Sequence, residues 1–528
     1  MVSTIKYPEF DRRLKALQDQ NPVDLLRDSL IGIEKESLRV DAEGLIAATP
    51  HPEGLGKALT HPQVTTDYSE AQLELITRPH STIPSVLAEL DELHRWVYSN
   101  LDDELLWVTS MPCVLHGERS VPIADYGPSN AGMMKTVYRR GLGHRYGRIM
   151  QAISGVHFNF SLPEKFWQAF QLIEGDDSDP VTFRTQGYMA MVRNLQRCGW
   201  LVPYLYGASP AVCESFLNGT STTLEYFGNH TYYEPFATSL RLGDIGYQNS
   251  KEGNTGVKVC YDSLESFIAS LEKAVETPCP IYKEIGVKVD GYYRQLNANQ
   301  LQIENEYYSS VRAKTITEGM QKPVRALQQK GIEYIELRSV DVNAFEPLGV
   351  SEDQLCFLEA MIVCSLLHPS PPISAEESQM IDGNLGLVAH CGRDPDLKLS
   401  TPEGDVKLRD WACQYLDDME QICHWLDESH TTNAYTHSWQ RQQDKISNPE
   451  LIPSTRMIDM MAENKESFFD FAIRKSRKVA DHFIHRPLEN ETLARYQQQV
   501  IKSREIALQI ERADEPSFDE FLKDYFSQ

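Results

Sequence analysis

Apolar positions recur at helical spacing near the start of the chain. Phe10, Leu14 and Leu17, then Leu25, Leu26 and Leu30, predict that the first thirty residues are helical. The period then changes. Leu30 to Val40 reads as a strand, and a second extended piece covers 64–77. Over 85–97, Leu87, Leu90, Leu93 and Val97 fall on one face of an amphipathic helix. Residues 154–161 read as a strand closed by Pro163, followed by a helix near 185–198 and further strands at 300–308 and 332–342. Beyond about 352 the pattern is mainly helical, ending in a charged tail over 458–528. Strands confined to the first two thirds predict an α+β fold, with the later helices packed around the sheet or standing as a separate module. No repeat, low-complexity tract or flexible linker marks a boundary. A single domain over 1–528 is therefore expected, with a strand-bearing core at about 30–350 and a helical region at about 351–528.

Composition narrows the class. The chain is 41% hydrophobic and 24% charged, as in soluble globular proteins, and contains no run of eighteen apolar residues. The first eight residues lack the basic start and apolar core of a signal peptide, so a cytoplasmic protein is expected. The net charge of −25 argues against nucleic acid and anionic membranes as partners. An anionic nucleotide would need local arginines and metal ions. Ten cysteines occur with no Cys-x-x-Cys pair, which argues against a zinc site and for reduced, buried thiols.

Four segments could carry chemistry. Residues two apart in a strand share a face, so Glu34 and Glu36 project together, away from Ile33 and Lys35. Adjacent carboxylates repel unless a cation sits between them, and oxygen donors suit Mg²⁺ or Mn²⁺. A solvated strand face explains the pair equally well. Glu74 stands between Leu73 and Leu75, either in an ordinary alternating strand or facing a site. His157 and Asn159 lie opposite Val156, Phe158 and Phe160, and a lone strand histidine is more often structural than a ligand. Glu336 and Arg338 share one face, as a structural ion pair or as the acid and guanidinium of a phosphoryl site. No P-loop, dinucleotide fingerprint or nucleophile elbow is present.

These segments, with GIEKESLRV, LTHPQVTTDYSEAQLELIT, SMPC, YRRGLGHRYG, ISGVHFNFSLP, PYLYGASPAVC, ATSLRLGDIGY, LQIENEYY, GIEYIELRSVDVNAFEPLGV and NPELIPSTRM in order from about 30 to 456, closely resemble the proteobacterial glutamate–cysteine ligases. The resemblance implies a glutamine-synthetase-like antiparallel sheet curved into an open cleft. It implies ATP and Mg²⁺, with Mn²⁺ possible, and a γ-glutamyl phosphate intermediate formed from glutamate before cysteine attacks. It implies metal ligands at Glu34, Glu36, Asp67, Glu74, His157 and Glu336, with Glu36, Glu336 and Arg338 catalytic. Substrate contacts are implied at Arg139, Tyr138, Arg241, Tyr247 and Tyr308, the last adjoining Tyr307. It also implies small-molecule substrates only and a monomer. A ligase of glutamate with another amine, a phosphagen-type kinase and a non-catalytic metal-stabilised binding protein are the competing readings.

Overall fold

A computed structural model describes residues 7–20, 22–246, 257–514 and 516–528. Its centre is a seven-stranded antiparallel sheet. The strands are β1 (Leu30–Val40), β2 (Val64–Thr66), β3 (Gln72–Ile76), β4 (Leu105–Leu106), β5 (Gly155–Ser161), β6 (Val311–Lys314) and β7 (Tyr334–Asp341). Their order is β6-β7-β5-β1-β3-β2, with β4 against the end of β1. The protein is α+β, as expected.

Register decides which residues share a face, because directly opposed residues point the same way. Glu34 faces His157 on β5, and Glu36 faces Glu74 on β3. Asn159 faces Glu336 on β7, which in turn faces Arg312 on β6. The sheet therefore has one polar, charged face. Its other face carries Ile33, Leu73, Leu75, Val156, Phe158, Phe160, Ile335 and Leu337, all buried. Helices α3 (Ile83–Tyr98), α5 (Pro180–Cys198) and α6 (Glu352–Leu367) contact the sheet's strands, and their buried apolar residues join the same core. Burying apolar surface on one side leaves the polar side chains aimed at the opposite side.

The ends of the chain build the surroundings. Helices α1 (Pro8–Gln18) and α2 (Pro22–Arg27) precede β1. Leu30 belongs to the strand rather than to the helical start, and is 41% exposed. The extended piece at 64–77 is two strands, because the backbone reverses between β2 and β3 and Gln72 N–H bonds the Ser69 carbonyl. The helix expected at 85–97 forms, but Val86 is buried where Leu87 is half-buried.

Three features depart from the sequence expectation. The strand expected at 300–308 is a loop with a 3₁₀ turn at Glu304–Glu306. Side chains there take the backbone groups a strand would pair: Glu306 accepts from Gln302 N–H (2.7 Å), and the Asn297 amide donates to the Gln302 carbonyl (2.8 Å). Strands also occur in the last third, as the hairpin Lys398–Thr401 with Gly404–Lys407. Finally, residues 130–146 form a helix, α4 (Asn130–Tyr146), capped by Ser129 accepting from Gly132 N–H and ended by Gly147 at φ +87°. Two C-terminal helices complete the frame: α7 (Phe468–Ile484) stacks Phe483 on His94 of α3, and α8 (Phe518–Ser527) packs Phe518, Leu522 and Tyr525 near Met134 and Val137 of α4. The cysteines are unbridged; Cys260 and Cys391 are only partly buried and Cys413 is exposed, so not all of them are core residues.

Candidate active site

The polar face of the sheet forms the floor of an open cavity of about 290 Å³. Glu34 and Glu36 rise from β1, Glu74 from β3, His157 from β5, Arg312 and Lys314 from β6, and Glu336 and Arg338 from β7. Asp67 enters from the turn after β2, Tyr138 and Arg139 from α4, and Arg241 from a short turn at Leu240–Leu242. Strand alternation explains the floor, since one polar residue in two points at the cavity. Arg338 sits where β7 takes up an extra residue between Leu337 and Val340, a bulge of the kind that re-aims side chains beside active sites.

The imidazole of His157 is the hub. Its Nδ1 lies 3.1 Å from Glu34 Oε2 and 3.4 Å from Glu336 Oε1, and its Nε2 lies 3.4 Å from Glu36 Oε1. Asn159 donates to the other oxygen of Glu34 at 3.0 Å. The backbone N–H of Gly155 donates to Glu36 Oε2 at 2.7 Å. Arg139 is anchored by its Nε–H on the Asp67 carbonyl and lies 4.6 Å over the Tyr126 ring. Arg241 is buried, donates to the Arg338 carbonyl at 2.7 Å and lies 3.5 Å from Asp341 Oδ1.

Electrostatics divides the acids into two kinds. Burial, together with Asp67, pushes the Glu36 carboxyl up to about 8. Burial and the charges of Glu34, Asp67 and Glu36 push Glu74 well above the carboxylate range. These acids have too little positive charge beside them to stay ionised together. Glu336 goes the other way: burial opposes ionisation, but Lys314, Arg338, His157 and Arg312 hold it well below the usual range. Burial and Arg338 lower the His157 pKa, so the ring is neutral at pH 7 and keeps a lone pair for a ligand.

This donor chemistry fits a divalent ion. One ligand atom each from Glu34, His157 and Glu336 lies within 4.8 Å of the others, a spacing that one ion can bridge. Glu36, Glu74 and Asp67 crowd together in a way that a cation would relieve. Carboxylate oxygens with one imidazole suit Mg²⁺ or Mn²⁺ rather than a thiolate-seeking metal, and among the described residues no cysteine lines the cavity.

A model of the glutamate–cysteine ligase family matches residues 14–388. The chain belongs to that family. It is a carbon–nitrogen ligase that joins glutamate to cysteine, the first step of glutathione synthesis. The chain is 44% identical over 514 residues to the glutamate–cysteine ligase of Pseudomonas paraeruginosa, covering 97% of each sequence. It is 43% identical over 523 residues to that of Alcanivorax borkumensis, covering 98% of this chain and 99% of the relative. Among solved structures, the glutamate–cysteine ligase of Francisella tularensis in complex with AMP superposes with a TM-score of 0.88 at 32% identity, covering 95% of this chain and 98% of that one.

Against this ligase background, the residues singled out from sequence fall together. Glu34, Glu36, Asp67, Glu74, Tyr138, Arg139, His157, Arg241, Tyr308, Glu336 and Arg338 all line the one cavity. Tyr247 lies outside the described residues. Tyr308 lines the cavity, whereas its neighbour Tyr307 packs against the main apolar core. The cavity also holds residues that sequence reasoning missed: Tyr68, Tyr146, Gln151, Glu306, Arg312 and Lys314. For Arg312 and Lys314 a signal existed, since Val311, Arg312, Ala313 and Lys314 alternate as a half-buried strand does.

Proposed function

We propose that this cavity performs the ligation in two steps, with ATP as phosphoryl donor and clustered Mg²⁺ ions, or Mn²⁺ in their place, held among Glu34, Glu36, Asp67, Glu74, His157 and Glu336. In the first step the γ-carboxylate of glutamate attacks the γ-phosphorus of ATP, giving γ-glutamyl phosphate and ADP. In the second the cysteine amine attacks the acyl carbon and phosphate leaves. The observation that carries this reading is one cavity in which those six ligands face Arg241, Arg312, Lys314 and Arg338. Two anions must meet in the first step. Bound Mg²⁺ would neutralise the phosphate oxygens that these acids alone repel. Arg338, fixed on Glu336, meets the transferring phosphoryl group with a planar pair of donors. Arg139 and Arg241 contact the substrate carboxylate and phosphate groups, and Tyr138 and Tyr308 line the cysteine end; Tyr247 is assigned to substrate binding on the sequence resemblance alone. No side chain needs to act as a covalent nucleophile, because holding the reactants in line and excluding water supply the acceleration.

The AMP complex of the Francisella enzyme supports nucleotide use on this scaffold. We further infer a sheet of the glutamine-synthetase type that curves into an open cleft, and residues 1–528 acting as one catalytic unit. A main apolar core with members from Phe10 to Val500 favours that unit. We assign the enzyme to the cytoplasm as a monomer. Among the described residues no helix is long and apolar enough to cross a membrane.

A coupled ADP-release assay with glutamate and varied amines tests the proposal. ADP and inorganic phosphate should both appear, cysteine should be the preferred amine, and Glu36→Gln should lower turnover about a hundredfold or more. Near-normal turnover of Glu36→Gln at saturating Mg²⁺ contradicts the metal assignment. Phosphate release independent of the amine contradicts the acyl-phosphate route.

A further inference from the structure

Glu336 carries more positive charge than a metal ligand needs. One of its oxygens lies 2.8 Å from Lys314 Nζ, and the other is bonded to Arg338. Its side chain is 1% exposed, so water does not take the place of either cation. Arg338 follows from the alternation of β7 itself, two residues along. Lys314 comes from the neighbouring strand, where Arg312 is the register partner of Glu336 and Lys314 stands two residues further on.

The cations of the cavity differ in how firmly they are held. Arg312 donates to the carbonyls of Asn305 and Tyr307, both at 2.8 Å. Arg241 is tied to the Arg338 carbonyl and Asp341. The Lys314 ammonium contacts Glu336, and its side chain remains 33% exposed at the cavity wall. It is a point charge on a flexible four-carbon stem, the cation best able to change partners. Glu336 is also one of the three residues that fit a single divalent ion. An ammonium and a divalent ion on one carboxylate repel each other, unless a polyphosphate brings negative charge that both can share.

We propose that Lys314 is an exchange cation: it holds Glu336 until metal and nucleotide arrive together, then moves to the phosphate oxygens and leaves the carboxylate to the ion. This rests on the metal reading above. Metal alone then binds weakly, nucleotide strengthens it, and each ligand raises the affinity of the other by the same factor.

The probes are Mn²⁺, followed by electron paramagnetic resonance, and ADP, titrated on the full chain. The unaltered protein should bind Mn²⁺ at least about tenfold more tightly with ADP present than without it. Lys314→Met should bind Mn²⁺ alone about tenfold more tightly and ADP more weakly, shrinking that coupling about tenfold or more. Lys314→Arg, which keeps the charge, should retain weak binding of Mn²⁺ alone. Lys314→Gln replaces the methionine variant if that one does not fold. Unchanged Mn²⁺ affinity in the charge-removing variant overturns the exchange. Tighter Mn²⁺ with unchanged ADP affinity also overturns it, because Lys314 is then only a structural partner of Glu336. If the unaltered protein binds no Mn²⁺ even with ADP, the metal site itself fails, and the exchange with it.

Discussion

Arg145 and Glu306 form an ion pair at 2.8 Å with both side chains fully shielded from solvent. The pair ties the loop that replaces the expected 300–308 strand to the helix that bears Tyr138 and Arg139. The guanidinium also donates to Gln295 Oε1 (3.0 Å) and to the Asn297 carbonyl (2.8 Å), and lies 4.1 Å from the Tyr282 ring centroid. Glu306 accepts in addition from the Tyr146 hydroxyl (2.8 Å) and Gln302 N–H (2.7 Å). Arg145→Met leaves a buried carboxylate without its counter-ion, a change that costs about 3–5 kcal/mol. The companion variant Arg145→Met/Glu306→Gln removes both charges and keeps an acceptor oxygen for Tyr146 and Gln302. It should lose only about 1–2 kcal/mol, for the acceptors at Gln295 and Asn297 left without a donor. The second substitution thus recovers about 2–3 kcal/mol of the single variant's loss. Native-state amide exchange across 138–146 and 295–306 reads the opening energy of this segment directly, even where global unfolding of so long a chain is not two-state. The single variant should also raise the KM for glutamate or cysteine, since Tyr138 and Tyr308 flank the pair. A single variant that exchanges as slowly as the unaltered protein, or a double variant as damaged as the single, refutes the reasoning.

Two further outcomes follow from other sites. A Cβ on Gly155 would lie 2.1 Å from Arg241 Nη2 and 2.9 Å from its Cζ. The buried guanidinium cannot retreat from its contacts with Arg338 and Asp341. Gly155→Ala should therefore lower kcat/KM about a hundredfold and stability by about 1–3 kcal/mol, while Gly383→Ala, with nothing within 4 Å, leaves kcat/KM unchanged. Glu359, buried in α6 and accepting from the Tyr435 hydroxyl at 2.6 Å, is raised by burial from 4.5 to about 7. Because its folded-state pKa lies above the unfolded one, its favourable contribution is full below pH 4.5 and is lost as pH rises to 7, about 3 kcal/mol in all. Denaturant midpoints should show Glu359→Gln gaining stability over the unaltered protein between pH 5 and 7 and holding that gain at pH 8; a gain equal at pH 5 and pH 8 contradicts this.

What could be read from sequence was local in origin. The period of two in β1 places Glu34 and Glu36 on one face without reference to any other strand, and the bounds Leu30–Val40 follow from the same pattern. What brings Glu34 against His157 and Glu36 against Glu74 is register between strands far apart in the chain, and no local pattern encodes it. The family resemblance grouped these residues beforehand; alternation alone left each open to an ordinary explanation. The segment 300–308 misled because Leu301 and Ile303 alternate with polar residues as a strand would. Its polar positions, however, are spent on Arg145, Tyr138 and the loop's own backbone. Helix α4 escaped notice for a related reason. Its length is divided between a thin apolar stripe at Met134 and Val137 and the cavity-facing Tyr138 and Arg139, so function weakens the periodicity that would reveal the helix. The same division hid Lys314. A lysine ending a short strand reads as a solvated edge, and it becomes part of the site only because β6 pairs with β7 in a register that sets it beside Glu336.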